Sequence, residues 1–219
     1  MITKSALDFL IELKKNNNRD WFNANKSWYE EARAEFERFI GTLIVEIARF
    51  DPPIAMLDPK KNIFRIYRDT RFSKDKSPYK TNFGSHLVAN AVKAHDRAGY
   101  YIHLEPGNSF LAGGAYNPPG PWLKGIRETI TDKGGEFLKI LGNADFKEYF
   151  GKLEGEKLKS SPRDFPADHP HIELLKHKSF LAVHNLADAD ILSNDFVKHA
   201  TKVFEALKPF DEFLNRGLP

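Results

Sequence analysis

Residues 99–116, GYYIHLEPGNSFLAGGAY, decide the fold. Two runs of aromatic, β-branched and small apolar residues flank Glu105-Pro106-Gly107-Asn108. Pro presets φ for the second position of a β-turn, and Gly tolerates the positive φ that the third position can require. Two such runs joined by so short a turn predict an antiparallel hairpin. Side chains two apart share a face of a strand. If Ile102 and Leu104 face the core, Tyr101, His103 and Glu105 stand together on the opposite face.

Working outward, residues 83–90 and 62–68 read as further short strands, and 179–185 as an additional one. Helical periodicity fills both ends of the chain. Leu7, Leu10, Ile11 and Leu13 mark a helix over 4–15, which Asn16-Asn17-Asn18 ends. Tyr29, Ala32, Phe36, Ile40, Leu43 and Ile47 mark a longer one over about 26–49, with Ser27 and Glu30 as a capping box and Asp51-Pro52-Pro53 as its stop. Further helices are expected over about 121–131, 135–141, 144–150 and 169–177. The last helix, about 194–215, carries the stripe Phe196, Ala200, Val203, Leu207, Phe210, Leu214, and Pro209 should bend it or end its first part. Helices, an antiparallel meander, then helices again predict an α+β fold. The sheet would have four to five short strands with the N- and C-terminal helices on one face, in a single domain over 1–219.

The chain has 219 residues, 41% of them hydrophobic, with 18 Phe and no Cys. That excludes disulfides, thiolate nucleophiles and Cys-ligated metal centres. No apolar run reaches the length of a membrane span, and Asp8 and Glu12 interrupt the N-terminal apolar stretch as a secretory signal would not. A cytoplasmic protein without a membrane partner is expected.

Charge is distributed unevenly. Between residues 60 and 80, Lys60, Lys61, Arg65, Arg68, Arg71, Lys74, Lys76 and Lys80 face only Asp69 and Asp75, a net +6 in a chain whose total is +3. So much like charge in one segment calls for nearby carboxylates or an anionic ligand. As a strand, 62–68 would put Arg68 on the face of Phe64 and Ile66, paired with Asp69. Beyond it, Arg71, Lys74, Lys76 and Lys80 interleave with Phe72 and Tyr79, a pattern that suits phosphate contacts and ring stacking. The plainer alternative is a loop pinned by Arg–Asp pairs and otherwise solvated.

The string RIYRDTRFSKDKSPYKTNFG (65–84) resembles the signature of the uncharacterised family known as domain of unknown function 2461. NNNRDWFNANKSWYEE (16–31), YYIHLEPGNSFLAGGAYNP (100–118) and SPRDFPADHPHIELLKHKSF (161–180) extend the resemblance over most of the chain. It implies one full-length domain and a basic segment common to the family. It implies no activity, cofactor or catalytic residue.

Other motifs exclude more than they assign. No H-E-x-x-H, G-x-S-x-G or G-x-G-x-x-G occurs, and the two S-x-x-K matches overlap within the basic loop. His169 and His171, placed on a helix, would point apart and could not share a metal, so no metal site is expected. Gly113-Gly114 leading to Pro121 reads as a strand-to-helix turn. Two functions remain. In the first, the Arg/Lys segment binds a phosphate-bearing small molecule or nucleic acid, with Arg65, Arg68, Arg71, Lys74, Lys76, Lys80 and Tyr101 as ligand contacts. His86, His103 and Asp69 are then the candidates for proton transfer. The alternative is a non-catalytic module that docks an acidic protein.

Overall fold

The computed structural model describes residues 1–89 and 96–219. Its helices are α1 (Lys4–Lys15), α2 (Arg19–Ala24), α3 (Lys26–Ile47) and α4 (Pro59–Asn62), followed by strands β1 (Phe83–Leu87), β2 (Tyr100–Leu104) and β3 (Ser109–Ala115). After α5 (Gly120–Gly142), α6 (Ala144–Phe150) and α7 (Ile172–Leu175) come β4 (Phe180–Leu186), α8 (Asp188–Ile191) and α9 (Phe196–Asn215). The strands form one antiparallel sheet in the order β1-β2-β3-β4, so the fold is α+β. Contacts divide the chain into two compact units. One comprises Met1–Leu87, Tyr101–Leu111 and Asn185–Lys202; the other comprises Val88–Tyr100, Ala112–His184 and Val203–Pro219.

The hairpin forms as its alternation predicts. Tyr100, Ile102 and Leu104 are buried, whereas Tyr101, His103 and Glu105 are half-buried on the other face. Gly107 sits at φ 74°, which the Pro-Gly turn needs, and the Asn108 N–H closes the turn on the Glu105 carbonyl at 2.9 Å. In the first unit α3 lies against β1, with Phe36 and Phe83 stacked at 5.6 Å and Phe9 of α1 against the same ring. In the second, Phe204 of α9 meets Tyr100, and Leu207 stands where any side chain on Gly113 would have to go.

Several expectations are corrected. Residues 62–68 form no strand; only two single bridges occur, Ile63 with Ser85 and Tyr67 with Tyr79. The buried residues there are Ile63 and Ile66, three apart, because the chain bends at Ile66, so Arg68 shares no buried face with Phe64. The strand expected over 83–90 ends at Leu87, and residue 90 lies outside the described residues. Asn25 caps α3 without a side-chain bond, so the Ser27–Glu30 box does not form, and Ile11 is on the rim and not in the core. The two helices expected over 121–131 and 135–141 are the limbs of α5, which meet at a kink at non-helical Lys133. The helix expected over 169–177 shrinks to α7. Pro209 does not end α9. It stands on the exposed side, where water reaches the carbonyl it frees, while Val203, Phe204, Leu207, Phe210, Phe213 and Leu214 remain buried on the other side.

Candidate functional site

The outward parity of β2 creates a linear polar chain. Tyr101, His103 and Glu105 are successive residues on one strand face, so their side chains meet in order. The Tyr101 hydroxyl lies 3.0 Å from His103 Nδ1, and His103 Nε2 lies 3.4 Å from Glu105 Oε2. Asn82 Nδ2, which can only donate, approaches Nδ1 at 3.4 Å. Nδ1 therefore accepts, and Nε2 carries the proton toward the carboxylate. Phe110 of β3 stacks on the imidazole at 4.6 Å and holds its plane. Gly84 lies so close beneath that a Cβ there would meet the Tyr101 hydroxyl at 3.1 Å and the Phe64 ring at 3.2 Å.

Electrostatics follow from burial and partners. Burial pushes the Tyr101 phenol up to about 12, so it stays a donor. Burial lowers the His103 pKa, against the opposing pull of Glu105, and the ring is neutral at pH 7. Burial alone would raise Glu105, but hydrogen bonds from Asn108 (3.0 Å), Thr81 (2.8 Å) and His103, with Lys14 at 3.7 Å, hold its carboxyl below the ordinary value. Beside Glu105's partners opens a crevice of about 170 Å³ lined by Leu10, Ile11, Lys14, Lys15, Thr81 and Pro106. A larger depression of about 460 Å³ in the second unit, at Thr129, Asp132 and Arg216, has no His or Tyr in its lining.

The basic segment divides in two. Its inner limb reaches the polar chain: Lys80 Nζ lies over Phe64 at 5.3 Å, and burial, then Arg65, lower its pKa. Lys80 in turn helps lower His103. Neither Arg65 nor Lys80 has an ion pair among the described residues. The outer limb is a closed loop. Arg68 pairs with Asp75, not with Asp69, and also donates to the Ser77 carbonyl at 3.1 Å. Asp69 instead holds Arg71, at 3.0 and 2.7 Å. Lys76 donates to the Thr70 carbonyl at 2.9 Å. The base is fastened from α1's C-terminal side, where Asn17 accepts from the Tyr79 N–H at 3.1 Å and donates to its carbonyl at 2.9 Å.

The candidates thus separate. Tyr101, His103 and Lys80 gather, and the exposed Arg65 acts on Lys80 and Asp69; Arg68, Arg71 and Asp69 hold the loop; Lys74 and Lys76 lie along its exposed outer side. Tyr67 packs with Tyr79 and Phe22. His86 is the least buried residue of β1. Sequence reasoning missed Asn82 and Thr81, and only their position just before a strand start hinted at them. His169 and His171 lie outside the helix expected for them, 5.8 Å between rings, and among the described residues no group of three or more His, Asp or Glu could hold a metal ion. No helix among the described residues is long and apolar enough to cross a membrane.

This site belongs to a chain whose residues 5–213 match the family described as conserved hypothetical protein (DUF2461), and the chain is a member of that family. No curated protein and no solved structure matches it.

Proposed function

We propose that the protein receives a phosphate-bearing or other anionic ligand, in the cytoplasm, where Arg65 and Lys80 border the Tyr101–His103–Glu105 chain. One observation carries this reading. Two cations without ion pairs among the described residues stand close enough to repel, beside a neutral imidazole, and an anion would relieve that repulsion. His103 Nδ1 is the acceptor position for a proton from the ligand, and Glu105 stabilises the imidazolium that forms. Arg68 and Arg71 support the site by fixing the loop and do not clamp the ligand themselves.

The test is thermal melting in sulfate or phosphate against chloride at equal ionic strength. Ligand at a hundred times its dissociation constant adds about 2.7 kcal/mol. The double substitution Arg65→Gln with Lys80→Met should remove the difference, while Lys74→Ala with Lys76→Ala should keep it. Equal melting in both salts, or a difference that survives the first pair, overturns the proposal and leaves docking of an acidic protein as the better reading.

A further inference from the structure

We infer that the loop tip at Phe72 is a docking point for single-stranded nucleic acid, one base stacking on the Phe72 ring while Lys74 and Lys76 meet neighbouring phosphates. The inference goes beyond the anionic-ligand reading, since it concerns the outer side of the loop and not Arg65 and Lys80. Phe72 is 94% exposed, more than any other large apolar side chain among the described residues. Its loop is not slack. Arg68 ties it to Asp75 and Ser77, the Ser73 N–H closes on the Thr70 carbonyl at 3.3 Å, and Asn17 fastens its base. A loop braced to hold an aromatic ring in water is pre-organised for a partner with a flat apolar face.

The Arg71 guanidinium lies over the ring at 5.8 Å and is itself fixed by Asp69, so one face is occupied by a cation and the other is open. Lys74 has no ion pair among the described residues, and Lys76 gives the Thr70 carbonyl one of its three donors. Along residues 71–76 the Phe72 ring stands among the cations Arg71, Lys74 and Lys76, and the one acid, Asp75, is held by Arg68. Single-stranded nucleic acid alternates planar base and phosphate in one covalent repeat, so it answers both at once. In a duplex the base faces are already stacked, and a purely acidic peptide has nothing for the ring.

Fluorescence anisotropy with a labelled oligo(dT), its duplex with oligo(dA), and polyglutamate as competitor tests this. Oligo(dT) should bind, and added salt should weaken it. Phe72→Ala should weaken binding at least about fivefold and Phe72→Trp should preserve it. Lys74→Ala with Lys76→Ala should reduce the slope of log affinity against log salt by about 1.4, the share of two phosphates on a single strand. No binding of oligo(dT), equal binding of the duplex, displacement by polyglutamate at equal charge, or indifference to Phe72→Ala each overturns the inference. Phosphate stabilisation that persists at Arg65 and Lys80 while oligo(dT) fails sinks this inference alone. Loss of that stabilisation with Phe72-dependent binding intact sinks the earlier reading.

Discussion

At Tyr101 a single hydroxyl orients the imidazole of His103. Because burial keeps the phenol protonated, it donates to Nδ1 at 3.0 Å, and Asn82 donates to the same nitrogen. Tyr101→Phe should therefore cost about 1 kcal/mol of stability, the usual worth of one hydrogen bond. The Nε2-protonated tautomer should persist, since Asn82 and Glu105 still specify it. Nitrogen-15 chemical shifts of His103 in both forms check this. An Nδ1-protonated ring in the unsubstituted protein would reverse the direction of the chain.

The loop over 66–80 shows what an element owes to distant residues. Arg68 is 25% exposed and Asp75 62%, so their pair is a near-surface one. Arg68→Ala should lower stability only slightly, well short of the loss expected for a buried charge. Its larger effect should be local: trypsin should cut faster at Arg71, Lys74 and Lys76 while the denaturant midpoint hardly moves. A slowed or unchanged cleavage rate would remove Arg68 from its role as brace. The same loop explains what could be read in advance. The hairpin over 99–116 was legible because alternation and turn chemistry are both local, and its parity alone placed Tyr101, His103 and Glu105 together. Residues 62–68 misled because they meet the sheet only at Ile63 and Phe64, beside β1, and bend away at Ile66. Ile66 and Arg68 bond instead to Lys80 and Pro78, and the segment is organised by pairing with 77–80 and by Asn17. β-type residues take their state from such neighbours. Arg68's choice of Asp75 over adjacent Asp69 likewise depends on loop closure, which composition does not record.

Across the whole molecule, acid stability is set partly by two imidazoles, His103 in one unit and His177 in the other. Burial pushes His177 down to about 4; its ring is stacked on Phe180, and its Nδ1 meets the Ser179 carbonyl at 3.1 Å. Both rings are lowered when folded, so the unfolded chain takes up their protons first. Their stabilisation is complete above about pH 6.5 and fades as pH falls toward the folded values. For His177 the fall from 6.5 to about 4 amounts to about 3 kcal/mol. His177→Asn should therefore flatten the decline in denaturation free energy between pH 6.5 and 4 relative to the unsubstituted chain. An identical slope in the two proteins would show that the ring titrates normally.

The carboxamide of Asn17 occupies both backbone polar groups of Tyr79, 62 residues away, in the manner of a missing strand. Opening that clamp lifts Tyr79 from Phe22 and frees the basic loop, a local change that requires less free energy than global unfolding. Recognition should then have its own thermal ceiling, reached on warming before the melting transition and set by one amide.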